Sequence, residues 1–246
     1  MTATSETEPA TRIQADLNDY WNGRAEEYDA HQRRPERLTR DVQEWSQVWR
    51  EALGGESSDV LDLGTGSGFV AFVLARLGHR VTATDLSEGM IEVARNRADH
   101  AGAPEICAPE LCIGDAVDPD FAPGSFDAIT NRFLMWTLRE PQRALANWRR
   151  LLRPGGVLAV VDGLWFPNGL AANPTPGFAT TYDEQARAAL PLAEARSIEV
   201  LAELVRAAGF RDVTVTPLTT ILDLDREFGV APGHELTLQH LVRGIA

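Results

Sequence analysis

The chain has 246 residues, 44% of them apolar and 24% charged, with a formal net charge of −13. That size and mix suit one well-buried domain with a small appendage, and the acidic balance excludes the basic footprint that nucleic-acid binding needs. Two cysteines, Cys107 and Cys112, make no disulfide framework, and no apolar run approaches the ~20 residues of a membrane span.

The opening MTATSETEPATR has no basic start followed by an apolar core, so no secretory leader is expected and residues 1–12 read as disordered. From Ile13 to Ala30 the pattern predicts a helix carrying Tyr20, Trp21 and Tyr28. In a second helix Leu38, Val42, Trp45, Val48, Trp49 and Ala52 recur at three- and four-residue spacing. Together these form a helical cap over 13–55, closed by GGESSD.

From residue 56 strands and helices alternate. DVLDLG is a strand, FVAFVLARLG a helix closed by Gly78, and RVTATD the next strand. Ser87 is a suitable N-cap for EGMIEVARNRAD. ELCIGD and FDAIT are strands three and four, EPQRALANWRRLL is a helix stopped by RPGG, and VLAVVDG is strand five. The stretch over about 164–195 breaks this rhythm with prolines and glycines and reads as an insertion over the ligand crevice. SIEVLAELVRAAG is a helix, DVTVTPLTTI a strand, and ELTLQHLVRGI a late antiparallel strand. The fold class is therefore α/β, a Rossmann-like doubly wound sheet, mostly parallel with an antiparallel last strand, plus an N-terminal helical cap.

The glycine turn DLGTGSGF, Asp62 to Phe69, between the first strand and its helix, poses a choice among nucleotides. A phosphate loop ends in Gly-Lys-Ser/Thr, and here Phe69 follows Gly68. The dinucleotide pattern G-x-G-x-x-G is weakened, because the glycines stand at 64, 66 and 68. Asp62, Asp85 and Asp115 end or follow adjacent strands and would line one crevice with acidic acceptors. That suits ribose hydroxyls, an amine and a sulfonium better than a pyrophosphate.

VLDLGTGSG, VTATDLSEGMIEVAR, IGDA, FDAITNRFLMWTL and LLRPGGVLAVVDG resemble, in order and spacing, the motif series of class I S-adenosylmethionine (SAM)-dependent methyltransferases. YWNGRAEEYD resembles the opening of bacterial small-molecule members. The resemblance runs from about Val60 to Gly163 and implies SAM as cofactor. It implies that Gly64 and Gly66 approach the methionine and ribose, with Asp62 and Thr65 of the same loop among the cofactor contacts. Asp85 would bind the ribose hydroxyls, Leu86 and Met90 would sandwich the adenine, and Asp115 and the Ala116 amide would read its edge. Asn131 and Arg132 would lie by the sulfonium.

The acceptor side is expected to be aromatic, with Trp21, Tyr28, Trp136, Trp165, Phe166 and Tyr182 as substrate contacts. Phe133 reads as a further pocket residue or as packing, while Trp45, Trp49 and Trp148 read as packing. His31 is the candidate base, with Tyr20 binding substrate or orienting it, and Asp162 could face the acceptor. His79 and His100 read as surface residues, and His234 and His240 as structural. No metal cluster stands out. The expected function is methyl transfer to the N, O or C atom of a small molecule, aromatic or indole-like. An NAD-dependent oxidoreductase, a non-methylating SAM-dependent cyclase and a non-catalytic binding protein are the alternatives. The chain reads as cytoplasmic, with a small-molecule partner, neither nucleic acid nor membrane, and a homodimer is allowed.

Overall fold

A computed structural model of the chain describes residues 7–100, 108–231 and 235–246, with side chains from Arg12 on and without that of His100. Residues 1–6, Cys107 and His234 lie outside the described residues. The cap consists of α1 (Thr7–Gln32) and α2 (Pro35–Leu53). α1 includes residues 7–12, inside the stretch expected to be disordered. α2 starts on Pro35 and buries Trp45, Val48, Trp49 and Ala52, the stripe that the spacing predicts.

The remaining elements are β1 (Asp59–Leu63), α3 (Phe69–Arg76), β2 (Arg80–Asp85), α4 (Glu88–His100), β3 (Glu110–Ile113), β4 (Phe126–Arg132), α5 (Pro141–Leu151) and β5 (Leu152–Gly163), then α6 (Phe178–Thr181), α7 (Glu184–Ala188), α8 (Glu199–Ala207), β6 (Arg211–Pro217), α9 (Thr219–Phe228) and β7 (Gln239–Ile245). The seven strands lie in the order β3-β2-β1-β4-β5-β7-β6. β7 runs antiparallel to both of its neighbours, so the antiparallel last strand sits inside the sheet rather than at its edge. Strand order reverses between β1 and β4, which opens a crevice beyond the carboxyl ends of those strands.

Two expectations change. Thr219 to Ile221 were expected in a strand and instead open α9, because Pro217 ends β6. α9 then buries Ile221 and Leu224 beside α2. Asn131 and Arg132 are the last two residues of β4 rather than the start of a loop.

One apolar layer joins α2 and α3 to the sheet through Trp45, Trp49, Val73 and Leu74. The other joins α5 and α8 through Leu145, Trp148, Leu201 and Val205. A third cluster binds the insertion to α1 through Leu17, Trp136, Leu170, Phe178 and Tyr182. His79, expected at the surface, is buried at 2% exposure in the turn before β2, and that burial lowers its imidazole pKa.

Beneath the glycine turn, Asp62 accepts from the hydroxyls of Thr65 and Thr130, both at 2.7 Å. It thereby ties β1, the turn and β4 together. Burial pushes its pKa up to about 6, against the lowering effect of the two hydroxyls.

Two outcomes follow from this packing. The Trp148 indole is wholly buried and donates to the Ala116 carbonyl at 2.6 Å, so Trp148→Ala should lose ~3–5 kcal/mol in urea unfolding, with Trp148→Phe losing less. In the unfolded chain Asp62 ionises near pH ~4, and the folded chain holds its proton up to about pH 6. Stability from this group is therefore full below pH ~4 and falls as the pH rises to ~6, by up to ~3 kcal/mol. Asp62→Asn should flatten that part of the stability–pH profile, and parallel wild-type and variant profiles would contradict the assignment.

Candidate active site

The turn after β1 is a backbone device. Gly64 and Gly66 have φ of +62° and +57°, in the left-handed region. A Cβ on Gly64 would lie 2.6 Å from Leu134 Cδ1, so the turn is pressed against the segment that follows β4. Both glycines face a cavity that the expected cofactor residues Asp85, Leu86, Met90, Asp115, Ala116 and Arg132 also line. Asp62 and Thr65 lie behind the turn and do not line it. Each of them is spent on the hydrogen bond that joins them.

Asp85, at the end of β2, accepts from the Gly66 N–H at 2.8 Å through one carboxylate oxygen and from the Ser87 N–H at 2.9 Å through the other. Burial raises its pKa against these bonds. Asp85 is also among the residues that line the cavity. Ser87 caps α4, its hydroxyl accepting from the Met90 N–H at 3.1 Å. The same hydroxyl donates to Asn22 Oδ1 at 2.7 Å, and the Gly89 N–H donates to that oxygen at 3.0 Å. A Cβ on Gly89 would lie 3.0 Å from the Asn22 carbonyl oxygen. α1 is thus seated on the first turn of α4, and its Leu17, Trp21 and Tyr28 form the opposite wall of the cavity.

A second cavity opens beside the first, and Tyr28, Arg132, Phe133 and Trp165 line both. Phe133 has φ of +65°, a strained setting for an aromatic residue. This turn sets the Phe133 ring edge-on to Trp165 at 4.6 Å between centroids. The Arg132 guanidinium lies 4.6–4.9 Å from the rings of Trp45, Phe69 and Phe133. Among the described residues it makes no ion pair, and burial lowers its pKa. Asp162 holds the wall from behind. It accepts from the Trp165 indole N–H and from the Trp136 N–H, and burial pushes its pKa up to about 6.

Trp21, Trp136 and Phe166 line the first cavity and also a third, smaller one that reaches Tyr20. Tyr182, expected to touch substrate, is 1% exposed, stacks on Phe178 at 4.3 Å and accepts from the Trp21 indole N–H at 3.2 Å. It lines none of the three cavities and supports Trp21 from behind. Tyr20 and His31 do not form a pair. His31 lines the second cavity and Tyr20 the third, where Arg24 donates to its hydroxyl at 3.2 Å. Asn22, Arg37, Asp41, Asp225 and Gln239 went unpredicted, because Asn22 meets Ser87 and Gly89, and Arg37 and Gln239 meet Asp225, across long stretches of sequence. The Asn in YWN was the one local signal for the α1–α4 contact.

The first cavity fits a nucleoside. Asp85 and Asp115 offer acceptors, Leu86, Met90 and Val117 offer apolar faces, and the turn backbone comes close at Gly64 and Gly66. The methyltransferase-domain family model matches residues 61–160. A demethylmenaquinone methyltransferase of Clavibacter sepedonicus is 33% identical over 213 residues, covering 76% of this chain and 80% of its own. One of Renibacterium salmoninarum is 34% identical over 171 residues, and the chain spans 65% of its length. The crystal structure of a SAM-dependent methyltransferase from Aquifex aeolicus has the same fold, with a TM-score of 0.60 at 20% identity, over 91% of this chain and 97% of that one. These matches remove the NAD reading. The chain belongs to the class I SAM-dependent methyltransferases, with SAM as its cofactor.

Proposed function

We propose that the chain methylates a planar, aromatic small molecule that lies against the wall shared by the two cavities. The observation that carries this is the double lining by Tyr28, Phe133 and Trp165. Three aromatic residues stand where the cofactor cavity meets the second one. Their faces suit both a flat acceptor and the positive charge of a sulfonium. That relatives are named for demethylmenaquinone supports a fused bicyclic ring as the acceptor, and one named a ubiquinone/menaquinone biosynthesis C-methyltransferase supports carbon as the methylated atom.

Bound SAM supplies an electrophilic methyl group on sulfur. The chain's own part is positioning. Asp85 holds the ribose hydroxyls, Leu86 and Met90 flank the adenine, Asp115 and the Ala116 amide meet its edge, and the unpaired Arg132 meets the methionine carboxylate. His31, on the wall of the second cavity, takes the proton that the ring releases on methylation. Tyr20 lines the third cavity, which shares Trp21, Trp136 and Phe166 with the first, and is assigned no step here.

Calorimetry should give SAM binding to the wild type that Asp85→Ala weakens by about tenfold or more, ~1.4 kcal/mol. Incubation with SAM and a panel of naphthols, indoles and aliphatic amines should release S-adenosylhomocysteine with the aromatic compounds. Trp165→Ala should raise KM for the accepted ring by about fivefold, ~1 kcal/mol, and leave SAM affinity within about twofold. Turnover of aliphatic amines alone would overturn the aromatic reading.

A further inference from the structure

The second cavity carries polar groups that the shared aromatic wall does not explain. Arg37 donates to Asp41 and to Asp225, both at 2.7 Å, and to the Gly229 carbonyl at 3.0 Å. Two carboxylates therefore share one guanidinium. Gln239, the first residue of β7, donates from its amide nitrogen to Asp225 at 3.0 Å. An ionised carboxylate can only accept, so this bond fixes the amide's orientation and turns Oε1 away from Asp225. The result is two buried acceptors with no donor, Asp41 Oδ1 and Gln239 Oε1. Asp41 is 6% exposed and Gln239 5% exposed, and both residues line the second cavity.

A buried acceptor without a donor is unfavourable, and native interiors rarely leave one. Here two residues with such acceptors line one cavity, together with Arg37 and Arg132, whose charges both act on the Asp41–Asp225 cluster. Trp45, Phe133 and Trp165 line the same space. We infer that the second cavity takes the acceptor's polar end, an O–H group on the aromatic ring, donated to the Asp41–Gln239 pair while the ring rests on Phe133 and Trp165. The inference rests on the proposed methyl transfer to an aromatic ring and names the functional group that the ring must carry. It makes Gln239 and Asp41 specificity-determining residues, with no part in the transfer itself.

Trp45 and Trp165 on the cavity wall make intrinsic fluorescence the readout. The matched probes are 1-naphthol and 1-methoxynaphthalene, titrated into the full chain saturated with S-adenosylhomocysteine. Wild type should bind the naphthol about tenfold more tightly than its ether. Gln239→Met keeps the side-chain length and removes the acceptor, and should bring the two affinities within about twofold of each other. Ala231, in the segment before β7, lines the second and third cavities, and Ala231→Phe adds bulk there and should abolish binding of both probes. Calorimetry of S-adenosylhomocysteine, unchanged in both variants, shows that fold and cofactor site are intact. Equal binding of naphthol and ether by wild type, a preference that survives Gln239→Met, or unchanged binding in Ala231→Phe would each overturn the inference. The first of these would leave water as the donor to the pair. Because these readouts need no methyl transfer, a failed acceptor screen and a failed subsite remain separable.

Discussion

The hydrogen bonds that Asp62 accepts from Thr65 and Thr130 join β1, the glycine turn and β4 at the reversal of strand order. Everything at the site is measured from that point. The turn can keep its left-handed glycines open to a ligand because its side chains are fastened beneath. β4 is held from the same side at Thr130, two residues before its end and three before the strained Phe133. A carboxyl at that depth costs free energy as it ionises, so the anchor works at some expense to stability.

That Gly64, Gly66, Asp85, Leu86, Met90 and Asp115 share the first cavity was largely legible in the sequence, for a physical reason. They sit at strand ends whose spacing follows from the alternation of strands and helices, and neighbouring parallel strands bring such ends together. What that reasoning mistook was direction. Asp62 and Thr65 share the turn with the glycines yet point into the core, and no spacing rule tells the two faces of a tight turn apart. α9 was missed because Thr219, Thr220 and Ile221 favour a strand locally, whereas packing on α2 makes them helical.

The acceptor half was legible in composition and not in arrangement. The aromatic residues were recognised, but which of them face space and which face each other depends on contacts across the whole chain. Tyr20 and His31 illustrate the limit. They stand on one helix, eleven positions apart, which separates them by about 16 Å along its axis. The polar cluster of the second cavity joins α2, α9 and β7, segments that approach only once the sheet has closed. Nothing in the sequence around Gln239 marks it as more than a strand residue.

The seat of α1 on α4 ties the cap to the sheet at the level of inheritance. A side chain on Gly89 would press to 3.0 Å of the Asn22 carbonyl oxygen, and Asn22 Oδ1 completes the first turn of α4. One cavity wall is therefore encoded at two places 67 positions apart. A cap grafted from another enzyme would need the matching glycine in its new host. Divergence in this lineage should thus proceed by paired substitutions across this contact, and recombination between cap and sheet would separate partners that must change together.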